Sequence, residues 1–189
     1  MLASTGVAGE PVEHFNLPAD SWSEFVQHYH AISKIDPLGI KTSYDGLMSA
    51  IAHVGRDEFC HTPCVWLRRR DTSAQAVSNY RAMVTGQWLV QRGEPVIPVD
   101  EFPDLPTIRQ LQAEYEDCNQ RLWPAWFQEM GITPLTVWYE EMCQAPQETV
   151  RAICQFLEFP DPSRIDVGIL QQQRDAMNDQ WRERLFNHV

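Results

Sequence analysis

Three consecutive arginines, Arg68, Arg69 and Arg70, stand inside the stretch VWLRRRDTSAQAVSNYRAMVTGQW, residues 65–88. The run before them is β-branched and aromatic, as in a buried strand. After them, Ala74, Val77, Val84 and Trp88 recur at the spacing of a helix's core face. A strand that delivers guanidinium groups to its carboxyl end, directly before a helix start, suits an anion. Arginine forks bind phosphate bidentately, and free N–H groups of the helix's first turn add donors.

Other residues carry weaker chemistry. Glu10 and Glu13 bracket Pro11 in MLASTGVAGEPVEHFN. Spacing alone reads them as two solvated acids in a surface turn; the functional reading is a carboxylate held near a substrate hydroxyl. Cys60, His61 and Cys64 lie close together, but no second ligand pair follows at zinc-site spacing. They are read as a loop and a strand edge, and no metal is expected. Ser78, taken alone, is an ordinary exposed helical serine.

Bulk properties narrow the class. The 189 residues suffice for one domain with a real core. A net charge of −11 argues against general nucleic-acid binding. The only lysines are Lys34 and Lys41, so an anionic ligand must be held by a local arginine cluster, and residues 68–70 are the densest. Five cysteines form no even disulfide framework, and neither a secretory signal nor a long apolar run occurs. The expected setting is therefore reducing and cytoplasmic, and the chain is not expected to be membrane-embedded.

The elements that must position these residues follow from periodicity and punctuation. Residues 20–33 read as a helix capped by Asp20 or Ser21. Residues 39–44 read as a short strand, and 47–54 as a helix capped by Asp45 and stopped by Gly55. Residues 56–63 form a polar connection, and Val65 opens the arginine strand. Residues 93–106 hold four prolines and form a linker. Residues 107–131 show a long helical pattern that Pro124 should kink or break and Gly131 should end. Residues 135–139 make a third strand, and 146–158 a helix with Pro146 in its first turn. Glu158 stands where a helix-ending glycine is common. A last helical segment contains Trp181. Strands alternating with helices predict an α/β class with a mostly parallel sheet. Ligands of such sheets bind beyond the strands' carboxyl ends, which places Arg69 and Asp71 at the ligand edge.

On these residues the chain resembles a known family. LRRRDTSAQAVSNYRAMVTGQW is similar to the segment of bacterial trehalose 2-sulfotransferase-like enzymes that holds the 3′-phosphate of 3′-phosphoadenosine 5′-phosphosulfate (PAPS). TGVAGEPVEHF resembles that family's acceptor-side loop, and WFQEMGITPLTVWYEEMCQAPQETVRAICQFLEF its late strand–helix unit. The resemblance implies a three-layer, P-loop-like sulfotransferase fold, with a mostly parallel sheet flanked by helices. It implies PAPS as sulfuryl donor, with Arg69 and Ser78 on its 3′-phosphate. Glu13 matches the family's general base, and Glu10 an acceptor-binding carboxylate. The implied reaction is in-line transfer of a sulfuryl group to a hydroxyl of a carbohydrate or similar small alcohol, achieved mostly by positioning and charge stabilisation.

Two departures accompany the resemblance. The family begins with a strand and a serine- and arginine-containing loop that cradles the 5′-phosphosulfate. This sequence starts at MLASTGVAGEP, just past where that element would end. The expectation is a single sulfotransferase-like domain, 1–189, truncated at its N-terminus relative to the family. Such a chain would be a poor catalyst, with unpaired sheet edges that favour dimerisation. The alternative expectation is an inactive remnant that binds a nucleotide or a partner. The second departure is LQQQRDAMNDQW, where Gln172 takes a usually basic position and Arg174 follows two residues later.

Overall fold

The computed structural model describes residue 27 and residues 40–88, 94–99, 103–167 and 176–187. Glu10, Glu13 and residues 168–175 lie outside these, as does the helix expected over 20–33 apart from Gln27, which is helical.

Helix α1 spans Tyr44–Val54. The strand expected over 39–44 reduces to a single bridge at Ile40. Ser43 ends it, because its hydroxyl accepts the Gly46 N–H at 3.2 Å and nucleates the helix one turn early. Asp45 is therefore no cap; it lies in the first turn, where the helix dipole favours an acid. Gly55 stops the helix as expected, at φ 93°. A 3₁₀ turn, Asp57–Phe59, then buries Phe59 within the connection expected to be polar.

Strand β1 is Val65–Arg68, and α2 is Thr72–Thr85. Helix α3, Leu105–Asp117, runs into a π turn at Cys118–Leu122 and then α4, Trp123–Met130. The proline of the long helical pattern thus widens the helix for one turn. A proline ring crowds the carbonyl four residues back and supplies no N–H, and the wider turn relieves both. Gly131, at φ 64°, closes α4 with the Ile132 N–H on Phe127 O at 2.9 Å.

Strand β2 is Leu135–Trp138 and pairs in parallel with β1, Val65 opposite Leu135 through Arg68 opposite Trp138. Tyr139, expected to end the strand, instead opens a short helix α5, Tyr139–Gln144. Helix α6, Pro146–Phe156, follows, and α7 is Ala176–Asn187. The chain is a mixed α/β structure with a small parallel sheet. At the end of α6, Glu158 adopts φ 57°. Its N–H bonds Gln155 O at 3.1 Å, and the Phe159 N–H bonds Cys154 O at 2.8 Å. This double bond pattern is the one a glycine usually serves.

Among the described residues, two clusters of buried side chains join several of these elements. The first joins Leu47 and Ala50 of α1, Phe59, and Trp126 and Phe127 of α4. Trp66 of β1 packs on it, its ring 5.3 Å from Phe127, and Trp123 stacks on Phe127 at 5.6 Å. Aromatic pairs of this kind contribute about 0.5–1.5 kcal/mol beyond their buried area. The second core joins Ala76 and Val77 of α2, Ile108 of α3, and Trp181 and Leu185 of α7. Val77 lies on the core face as its spacing predicts, but Val84 and Trp88 are 50% and 62% exposed. In the last turns of α2 the buried stripe passes to Arg81 and Ala82, and Trp88 lies past the left-handed stop at Gly86. Arg81 is buried because its guanidinium donates to Asn178 Oδ1 at 2.9 Å and to Ile97 O at 3.0 Å.

Candidate anion site at the end of strand β1

The parallel ladder ends with Arg68 opposite Trp138, so both strands release their next residues at one edge. The three arginines separate there. Arg68 sits over two rings, its guanidinium carbon 4.1 Å from the Trp66 centroid and 4.6 Å from Trp138. Its Nη2 donates to the Asn119 carbonyl at 3.3 Å. Burial pushes its pKa down, the expected response of a partly desolvated cation. Arg70 flanks the same Trp138 ring at 4.6 Å and pairs with Glu141 at 2.5 Å. Arg69 points elsewhere, over the Tyr139 ring at 4.6 Å, and makes no ion pair among the described residues.

An open pocket of about 280 Å³ lies against this edge. Arg68, Arg69, Arg70, Thr72 and Trp138 line it from the sheet side, and Glu116, Asn119 and Gln120 from the end of α3 and the π turn. Thr72 and Gln112 both donate to Glu116 Oε1, at 3.0 and 2.9 Å, which fixes that carboxylate in the wall.

The first turn of α2 offers fewer donors than the sequence suggested, because the Ala74 N–H is taken by the cap. Asp71 caps the helix itself. Its Oδ1 accepts the Ala74 N–H at 2.8 Å and the Ser73 hydroxyl at 2.7 Å, and Arg182 of α7 holds its Oδ2. Burial pushes the Asp71 pKa up, but the Ala74 and Ser73 bonds and the charges of Arg182 and Arg69 together hold it below the ordinary range. Glu140 adds a second carboxylate, accepting the Arg70 and Asp71 N–H groups at 3.0 and 3.3 Å. The groups that line this edge and could meet an anion are chiefly guanidinium groups.

Unpartnered buried atoms concentrate at this edge. Arg68 Nε, Arg69 Nε, Gln75 Oε1, Glu140 Oε2 and Arg182 Nε are buried without a hydrogen-bond partner; outside the region, among the described residues, only Trp126 Nε1 is. Buried polar groups are ordinarily satisfied, and of these five residues Arg68 and Arg69 also line the pocket, which makes this edge the candidate site.

Of the residues singled out in the sequence, Arg69 lines the pocket, whereas Ser78 does not. Ser78 lies nearly two turns into α2, half-buried, and its hydroxyl makes no hydrogen bond among the described residues. Cys60, His61 and Cys64 sit in the loop before β1. Among the described residues no three His, Cys, Asp or Glu side chains gather as metal ligands do. Sequence reasoning missed Glu140 and Arg182, whose partners are distant in the chain. It also missed Asp71 as a cap, although Asp before Thr-Ser-Ala is a recognisable helix start. No helix among the described residues is long and apolar enough to cross a membrane.

Comparison with known proteins shows the family. Two trehalose 2-sulfotransferases match, one from Mycolicibacterium smegmatis (30% identical over 154 residues) and one from Mycobacterium tuberculosis (30% over 145 residues). Each match covers 75% of this chain and 51% of the relative, so the chain spans about half the length of the curated relatives it matches. The family model for the Stf0 sulphotransferases matches residues 40–187, a range that takes in β1, the arginines, the π turn and α7 but neither Glu10 nor Glu13. The chain belongs to the Stf0 sulphotransferase family.

Proposed function

We propose that this chain carries the 3′-phosphate half of a PAPS site in a sulfotransferase that acts on a hydroxyl of a carbohydrate or similar small alcohol. The observation that carries the reading is Arg69. It is the one arginine of the three without a carboxylate or carbonyl partner among the described residues, and its buried Nε is unsatisfied at a pocket in a sulphotransferase family chain. Membership of that family favours transfer over a binding-only remnant.

In this reading Arg69 and Ser78 hold the 3′-phosphate, and the donor supplies the sulfuryl group. Glu10 orients the acceptor, and Glu13 takes the hydroxyl proton as the oxygen–sulfur bond forms. The bond from sulfur to the phosphate oxygen breaks in line, and adenosine 3′,5′-bisphosphate leaves with the electron pair. The three-layer, P-loop-like architecture, a cytoplasmic setting and a homodimer belong to the same proposal.

Calorimetric titration with adenosine 3′,5′-bisphosphate tests it. Charge-assisted hydrogen bonds contribute about 1.5–3 kcal/mol, so Arg69→Ala should weaken binding roughly ten- to hundred-fold. Equal affinity in the parent and Arg69→Ala overturns the assignment.

A further inference from the structure

Arg68 and Arg69 are adjacent in sequence and alike in chemistry, yet one is pinned and the other open. The cause lies in another part of the chain. In the π turn each N–H reaches five residues back: the Trp123 N–H bonds Cys118 O. The next bond in that series would run from residue 124 to Asn119. Pro124 has no N–H, so it donates neither to Asn119, five residues back, nor to Gln120, four back. The helix leaves the Asn119 carbonyl without its next donor, and Arg68 Nη2 takes that place at 3.3 Å. The same guanidinium also lies over the Trp66 and Trp138 rings, at 4.1 and 4.6 Å.

We infer that Pro124 is a positioning residue for the pocket: by freeing the Asn119 carbonyl it locks Arg68 as a strut between the π turn and the sheet. The strut does two things. It fixes the distance between the pocket's walls, because Asn119 and Gln120 line one side and the three arginines the other. It also commits Arg68 Nη2 to the π turn, so that Arg68 meets the pocket with an unpartnered Nε, while Arg69 keeps its whole guanidinium free of carboxylate and carbonyl partners among the described residues. The geometric claim stands on its own; the consequence for ligand affinity rests on the reading proposed above.

Nitrogen-detected NMR of the arginine side chains tests the strut without any ligand. A guanidinium held by a carbonyl and two rings rotates slowly, so the parent should show resolved Arg68 Nη signals, assigned by their loss in Arg68→Lys. In Pro124→Ala an N–H returns at position 124, the carbonyl regains a helical donor, and the Arg68 Nη signals should collapse to the averaged position. Alanine is the better helix former, so this variant should keep its helix content and thermal midpoint. Resolved Arg68 signals that persist in a folded Pro124→Ala overturn the inference. A Pro124→Ala chain that loses its fold also overturns it, since the strut would then be secondary to a structural role of the proline. In a parent that binds adenosine 3′,5′-bisphosphate, Pro124→Ala should weaken binding about five-fold, the equivalent of one ordinary hydrogen bond. Unchanged affinity beside collapsed Arg68 signals overturns the positioning role alone. A parent that does not bind that compound overturns the proposed function and leaves the strut to the spectra.

Discussion

Arg182 of α7 holds the carboxylate of Asp71, the cap of α2, from 111 positions further along the chain. The contact closes the last described helix onto the junction between β1 and α2. The positive charges of Arg182 and Arg69 both act on that carboxylate.

That arrangement makes stability depend on acid in a defined direction. Asp71 has a folded pKa below its unfolded value, so its contribution is present above the usual carboxylate pKa of about 3.9 and is lost as pH falls through the folded value. Asp71→Asn keeps a side-chain oxygen for the cap but loses the charge. Urea unfolding from about pH 6 to about pH 2.5 should show the parent's advantage over Asp71→Asn shrinking as pH falls. Parallel profiles for the two proteins would contradict the ion pair's part in it.

Ser78 and Arg69 should not be equal partners. Arg69 lines the pocket and Ser78 does not. A neutral hydroxyl bond contributes about 1 kcal/mol, so Ser78→Ala should weaken binding of adenosine 3′,5′-bisphosphate by no more than about five-fold. Titration calorimetry of both variants checks the order. A larger loss from Ser78→Ala than from Arg69→Ala would reverse it.

The turn after α6 offers a stabilising change. Glu158 occupies a left-handed conformation, φ 57°, that costs a side-chain-bearing residue roughly 1 kcal/mol. Both bonds of the turn are made by backbone atoms, so Glu158→Gly keeps them. The variant should gain on the order of 0.5–1 kcal/mol in urea unfolding, and a loss of stability would show that the glutamate side chain contributes something else.

Burial pushes the Cys64 thiol up to about 11. Near pH 8 it should therefore react slowly with iodoacetamide, because the thiolate is the nucleophile. Mass-spectrometric peptide mapping should find Cys143, which is exposed, alkylated well before Cys64. Alkylation of Cys64 first would place it outside the packed loop before β1.

The parts legible in the sequence are those whose signals are local. β1 and β2 show as β-branched and aromatic runs, α2 and α6 as apolar periodicities, and Gly55 and Gly131 as helix stops. Their parallel pairing follows from the alternation of strand and helix. What was hidden depends on partners far along the chain or on competition within one turn. Ser43 outbids Asp45 as the cap of α1 because its hydroxyl reaches the Gly46 N–H, a choice between two good candidates two residues apart. Pro124 predicts trouble in a helix, but a kink and a π turn are both solutions, and periodicity does not choose between them. Arg69 could be named from its place in the run. That Arg68 and Arg70 are already engaged could not, since Asn119 and Glu141 are brought to them only by the fold.

The β1–β2 ladder and the bond from Arg70 to Glu140 all join positions 70 apart. Closing so long a loop costs chain entropy before the first ladder bond forms, and parallel pairing of this kind is slow relative to helix formation. The arginine edge is thus a late product of folding. During synthesis Val65, Trp66 and Leu67 are made 70 residues before their ladder partners in β2, and the pocket's lining is complete only once Trp138 has been added.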